Sequence, residues 1–282
     1  MVCIPHKVGQ MRVRITFKLK NRGNYLPFYH QHLFSQLIKG MIVASGDHTF
    51  QNFDLFSFSG LKGLTRVGRQ GLQYNSNRVS LVISSSNKDF VDFLLFLFFQ
   101  RRSLSVGALV LEPEYVEKEE SPTFGNITKL ICLSPLVVLK AQFQDEESKR
   151  FINPVENEFS DLLFDNLLHQ MEKGGIKAEN IDDYHKFQLV PDVEYLDKIK
   201  RNGKKFSRVY SLYDQDLGYD VRGYTIPFVL YAPPAIQEFI FNCGIGNYTH
   251  KGFGMVDLAH VDPLSRTTPY EIPESVKELV SA

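Results

Sequence analysis

A chain of 282 residues with 43% apolar and 13% aromatic side chains can bury one or two cores, which excludes a disordered or fibrous protein. Thirty-two Lys and Arg balance 32 Asp and Glu, so affinity for a polyanion must come from local clusters. Cys3, Cys132 and Cys243 lie far apart without C-x-x-C spacing, giving neither a disulfide framework nor a zinc site and pointing to a reducing, cytoplasmic setting.

No element is assigned to residues 1–10. From 11 to 22, Val13, Ile15, Phe17 and Leu19 alternate with Arg12, Arg14, Thr16, Lys18 and Lys20, which predicts a half-buried strand with one basic face. Arg12 and Arg14 are thus expected to contact a polyanion. After a turn over 21–27, residues 29–44 place Leu33, Phe34, Leu37, Ile38, Met41 and Ala44 at helical spacing, with His32, Ser35, Gln36 and Lys39 opposite. DLFSFSG and NRVSLVISS read as strands. Ser86 and Asp89 open a second helix that ends at Arg101 and Arg102. Its apolar run FLLFLFF, 93–99, is too short to cross a bilayer, so no membrane segment is expected. SLSVGALVLEPEYV closes the unit as a fourth strand. The order βαββαβ is the ferredoxin-like arrangement.

The acidic stretch 112–126 reads as a join between two halves. Beyond it ITKLICLSPLVVL reads as one strand, NPVENEFSDLLFDNLLHQMEKGG as a helix with Pro154 in its first turn, and FSRVYSLYD and VRGYTIPFVLYA as strands. Pro233 and Pro234 open the helix IQEFIFNCG. The expected class is α+β, two tandem ferredoxin-like (RRM-like) βαββαβ units spanning 11–118 and 124–262.

Between the last helix and strand lies GIGNYTHKGFGM, residues 244–255. Glycines at Gly244, Gly246, Gly252 and Gly254 imply positive φ or close backbone approach. With His250 and Lys251 beside them, their amides could form a nest for phosphate; the alternative is a glycine-rich hairpin. A second basic cluster, Lys200, Arg201, Lys204, Lys205 and Arg208, stands beside Tyr210 and Tyr213, the interleaving that RNA binding uses. With Asp192, Glu194 and Asp197 just upstream, a solvated hairpin edge is the equal alternative.

Two such units ending in GIGNYTHKGFGMV resemble the CRISPR repeat-processing endoribonucleases of the RAMP superfamily. Gly244, Gly246, Gly252, Phe253, Gly254, Met255 and Val256 fill that family's terminal signature, and Pro27-x-x-His30-Gln31, LFSFS at 55–59, LSPLVV at 133–138 and INPVENEF at 152–159 are also similar to it. The resemblance implies metal-independent RNA cleavage by attack of a ribose 2′-hydroxyl on the neighbouring phosphate, leaving a 2′,3′-cyclic phosphate and a 5′-hydroxyl. It places the catalytic histidine at His48. Lys39 falls where some members carry a tyrosine near the scissile phosphate, and there an ammonium could stabilise charge rather than transfer a proton. The family's frequent later lysine falls on Asp54, so that role is lost or moved, with Lys62 a weak substitute. His32, on the Lys39 face, is the reserve second imidazole; His30 and His32 on one helix point apart and predict no metal site. No cofactor is expected. The implied partners are CRISPR repeat RNA, subunits of an interference complex and, in a homodimer, a second copy. A non-catalytic RNA-binding subunit and a protein-binding scaffold are the rival readings.

Overall fold

The computed structural model describes residues 9–140, 152–214 and 217–274. In chain order the first half contains β1 (Met11–Leu19), β2 (Tyr25–Leu26), α1 (His30–Ala44), β3 (Phe56–Phe58), β4 (Thr65–Val67), β5 (Leu72–Tyr74), β6 (Arg78–Ser85), α2 (Lys88–Phe99), β7 (Leu104–Val106) and β8 (Leu109–Glu119). Its main sheet runs β8-β1-β6-β3, all antiparallel, with Val13 opposite Ile83 on one side and Lys118 on the other. Val13, Ile15, Phe17, Leu81 and Ile83 turn one face to α1 and α2 and form the first core. The α2 helix is capped by Asn87, whose side chain accepts the Phe90 amide at 3.1 Å. Every residue from Phe90 to Phe98 in it is buried, as the FLLFLFF run demands.

The second half contains β9 (Ile127–Cys132), β10 (Leu136–Val137), α3 (Asn157–Lys173), β11 (Gln188–Pro191), α4 (Val193–Arg201), β12 (Ser207–Asp214), β13 (Leu217–Tyr224), β14 (Pro227–Tyr231), α5 (Pro234–Cys243), β15 (Val256–Leu258) and β16 (Thr267–Pro269). Its sheet, β11-β14-β9-β15, repeats the antiparallel ferredoxin-like order of the first half, and α3 and α5 pack on it through Phe159, Leu163, Phe239 and Ile240. A separate sheet, β10-β13-β12, stands beside it. The chain then returns to the first half, where β16 pairs with the outer edge of β8. None of the described helices is long and apolar enough to cross a membrane.

The tandem ferredoxin-like expectation is met, with additions. The expected fourth strand of the first half is a hairpin, β7 and β8, and β2, β4 and β5 form a small sheet of their own. Residues 112–119 are not a join: they lie in β8, where Glu112 meets Lys20 at 2.7 Å and Glu114 meets Arg78, so an acidic strand is neutralised by cations across the sheet. The single strand read over 127–139 divides at 133–135 into β9 and β10 of different sheets. VRGYTIPFVLYA divides likewise between β13 and β14. Pro154 precedes α3 rather than opening it, and α4, capped by Asp192 on the Tyr195 amide at 3.0 Å, was not anticipated.

The basic face of β1 needs the largest correction. Arg12 and Arg14 face the second half, not solvent. Arg12 Nε donates to Glu119 at 2.7 Å, Nη1 to the Val256 carbonyl at 2.9 Å, and Nη2 stands 3.4 Å from Asp257, with the guanidinium 4.2 Å above the Phe241 ring. Arg14 shares Glu119. Both side chains are buried in this junction and present no charge to a ligand.

Candidate active site

Lys39, Ser35 and Ile38 of α1 form one wall of a cavity of about 400 Å3 where the halves meet. Residues 51–54 and Phe56 make a second wall, and Tyr248, His250 and Lys251 of the glycine loop close it from the other half. The sequence explains this convergence. The loop's Thr249–Lys251 forms a single 3-10 turn that packs on α1 and β3, and Gly252 is what lets it approach. At Gly252 φ is +87° and a Cβ would stand 2.5 Å from the Phe58 ring; at Gly254 φ is +69° and a Cβ would lie 2.0 Å from the Ile245 carbonyl oxygen.

The expected phosphate nest is overturned by the same contacts. Amides of Gly244, Gly252 and Gly254 donate to the carbonyls of Ile240, Thr249 and Pro135 at 2.8, 3.0 and 2.8 Å, and Gly246 lies against the Val137 carbonyl, where a Cβ would be 2.5 Å from the oxygen. These glycines fold the loop; its side chains face the cavity. Lys251 Nζ lies 3.1 Å from the Tyr219 hydroxyl and over the rings of Tyr219 and Tyr248, at 5.7 and 5.2 Å. The His250 ring stands 6.4 Å from that of Phe56.

Partial burial, and then the charge of Lys251, lower the pKa of His32, favouring a neutral imidazole on α1. His48 is exposed on the loop after α1, next to Asp47, whose carboxyl is lowered by hydrogen bonds from the Thr49 hydroxyl and amide. Its carbonyl accepts the Gln51 amide at 3.4 Å, so it stands at the start of the segment that builds the cavity wall rather than on the wall itself. Asp54 does line the wall, and Lys173 at the end of α3 reaches across from the second half to its carboxylate at 2.9 Å. Lys62 lies elsewhere. It bridges to Ser80, and burial, followed by the charge of Arg14, lowers its pKa, which places it by the Arg12–Glu119 junction.

His30 is a structural residue. Its Nδ1–H donates to the Pro27 carbonyl at 3.2 Å and its Nε2 accepts the Leu61 amide at 3.3 Å, with burial lowering its pKa to about 4. Of the second basic cluster, Lys204, Lys205 and Arg208 are exposed, and Arg208 stacks 4.1 Å from the Phe28 ring at the foot of α1. Tyr210 is no base platform: it is buried edge-on against Phe253 at 5.4 Å. The side chain of Tyr213 lies outside the described residues. Sequence reading missed Tyr219, Tyr248 and Lys173. Tyr248 sits inside the glycine stretch at φ +65°, a place where only an unusual backbone tolerates a large ring, and that was the available signal.

Fold and cavity together define a tandem ferredoxin-like protein with a cationic pocket at the junction of its halves. The family model "CRISPR associated protein Cas6, C-terminal" matches residues 117–258, half of the chain, and the chain belongs to that family. It is 24% identical over 255 residues to CRISPR-associated endoribonuclease Cas6 1 of Methanocaldococcus jannaschii, covering 87% of this chain and 92% of that one. A putative CRISPR-associated endoribonuclease-like protein Cas6 of Pyrococcus furiosus is 23% identical over 259 residues, 88% and 98% of the two chains. The structure of a Cas6-related protein of Pyrococcus furiosus superposes with a TM-score of 0.73 over 90% of this chain and 100% of that one, at 20% identity, which shows a shared fold.

Proposed function

We propose that this protein is an endoribonuclease that cuts precursor CRISPR RNA within its repeats. The observation that carries the reading is the meeting, in one cavity, of Lys39 from the first half with His250 and Lys251 from the second. One named relative is an endoribonuclease, and the cavity brings two ammonium groups and the His250 imidazole together, charge and a titratable group of the kind such chemistry uses. In the reaction an imidazole, His48 or the neutral His32, takes the 2′-hydroxyl proton while the 2′-oxygen bonds to phosphorus. The phosphorus–O5′ bond breaks, the second imidazole returns a proton to O5′, and Lys39 and Lys251 offset the charge on the phosphorane. The products are a 2′,3′-cyclic phosphate and a 5′-hydroxyl, and no metal takes part.

Lys204, Lys205 and Arg208 extend the positive surface along the strand that flanks Phe28 and would guide the RNA backbone. The two halves act as domains, 11–118 and 124–262, with RNA between them; a homodimer and delivery to an interference complex in the cytoplasm belong to the same reading. Asp54 on the cavity wall favours one alternative, a subunit that binds repeat RNA without cutting it.

Incubating the protein with its cognate repeat RNA in EDTA separates the two. A single cut with cyclic-phosphate ends, abolished by 2′-deoxy substitution at the cut position, supports the enzyme; salt-sensitive binding without a cut supports the subunit. His48→Ala and Lys39→Ala should slow single-turnover cleavage by at least tenfold at near-normal affinity. Cleavage by His48→Ala at the unmodified rate removes that residue from the site.

A further inference from the structure

The hairpin of β4 and β5 plays no part in the cavity, yet it is built with care and charged on one sign. From residue 55 to residue 88 the chain contains no Asp or Glu. Within that stretch Arg66 and Arg69 are exposed, as is Arg22 in the turn that the Gly23 amide ties to the Tyr74 carbonyl at 2.7 Å. Other cations nearby are matched: Lys20 with Glu112 and Arg78 with Glu114. Among the described residues Arg22, Arg66 and Arg69 have no such acidic partner. Leu64, two residues before Arg66, and Val67, between Arg66 and Arg69, are 70% and 68% exposed, the most exposed large apolar side chains described, with Tyr29 45% exposed at the start of α1. A soluble surface gains nothing from holding apolar side chains out between unpaired arginines unless something covers them.

The hairpin is also rigid at its base. The Leu61 amide is held by the buried imidazole of His30, the Leu61 carbonyl by the Tyr74 hydroxyl at 2.8 Å, and the turn closes through the Gly68 amide on the Gly71 carbonyl at 2.8 Å. His30 opens the helix that carries His32 and Lys39. The arm is therefore fixed to the first turn of the helix that lines the cavity.

We infer that this hairpin is a second RNA-binding surface, which grips the single-stranded RNA leaving the cavity: Arg22, Arg66 and Arg69 on phosphates, Leu64, Val67 and Tyr29 against ribose and base faces. The inference rests on the reading of the chain as a repeat RNA nuclease. Unpaired guanidinium groups interleaved with apolar and aromatic side chains fit an extended, unpaired strand, whose bases are free to pack, better than a duplex or a protein surface.

The test is Arg66→Ala/Arg69→Ala in the full-length protein, with fluorescence anisotropy on repeat RNA and single-turnover cleavage at saturating enzyme. Expected is an affinity loss of at least tenfold at about 0.15 M salt and a fall of about 1 to 1.5 in the slope of log K against log salt, the share of two phosphate contacts on a single strand. The cleavage rate at saturation should stay within twofold, and Arg66→Lys/Arg69→Lys should restore most of the affinity. Unchanged affinity and slope, with the unmodified protein binding and cutting normally, overturn the hairpin site alone and leave the arm to a protein partner. Failure of the unmodified protein to bind RNA overturns the hairpin site together with the function on which it rests.

Discussion

At Gly252 backbone conformation and neighbours demand the same residue. A Cβ there would press 2.5 Å from the ring of Phe58, which is itself wholly buried in the first core and has nowhere to move, and the φ of +87° strains any side chain. Gly252→Val should therefore cost about 2–4 kcal/mol of stability, read by urea unfolding. A variant that unfolds like the parent yet binds RNA weakly would return this glycine to direct contact with RNA. His30 makes a different kind of prediction. Above pH 6.5 its imidazole is neutral in both folded and unfolded chains, and no penalty arises. As pH falls below 6.5 the unfolded chain takes up a proton that the buried ring accepts only near about 4, so stability declines by about 1.4 kcal/mol per pH unit across that window. His30→Gln should flatten this part of the stability–pH curve, and a curve of unchanged slope would show that the ring titrates normally. That histidine was legible as a helix-start residue; the burial that fixes its charge state, beneath the Leu61 segment 31 positions away, was not.

Elements were legible wherever one face meets apolar core and the other meets water. The period of 3.6 in α1 survives because its burial follows its side-chain pattern, whereas β6, buried without a break from Leu81 to Ser85, was legible from its run of apolar and β-branched residues. Strands failed where the chain changes sheets, as between β9 and β10, because apolar character continues through the corner at Pro135. The strand β16 left no trace at all. TTP has no alternation, and its partner β8 lies some 150 positions earlier. What holds this returning strand is a side chain beyond it: the Tyr270 hydroxyl donates to Asp92 on α2 at 2.6 Å, and Lys88 approaches the same carboxylate. Burial, and then the bond to Asp92, push the Tyr270 hydroxyl up to about 12, so it remains a donor at any working pH. Tyr270→Phe leaves one oxygen of a buried carboxylate without its donor and should destabilise by about 1–3 kcal/mol in chemical denaturation. A loss below about 0.5 kcal/mol would mean that the returning segment is held by strand pairing alone.

Across the whole molecule the face of β1 that meets the second half does so through a charged network, and this is why the alternation in β1 misleads. A polar face can look to water or to a second half, and the period of two is identical in both cases. Here Arg12, Arg14 and Arg266 gather around two acids, Glu119 and Asp257, with both Arg12 and Arg266 over the Phe241 ring, at 4.2 and 5.5 Å. Burial alone would raise the Glu119 carboxyl, but Arg12 and Arg14 outweigh it and hold it below its ordinary value, so the pair stays ionised in the dry junction. Such a network contributes little against an apolar alternative, yet removing one member leaves the others charged and uncompensated. Arg12 is the member joined to both halves, through Glu119 on β8 and through the Phe241 and Val256 carbonyls at 3.2 and 2.9 Å. Arg12→Ala takes its donor from the Phe241 and Val256 carbonyls, leaves Glu119 with Arg14 alone and Asp257 with Arg266, and opens the contact that sets α5 against the first sheet. The expected cost is about 3–5 kcal/mol, a fall in melting temperature on the order of 10 °C. Because the cavity exists only while the halves hold their mutual position, cleavage should fail at temperatures where the parent still cuts. Should Arg12→Ala melt within about 2 °C of the parent, the ionic junction would not be what fixes the halves, and the apolar contacts of α5 with β3 and β6 would have to carry that role.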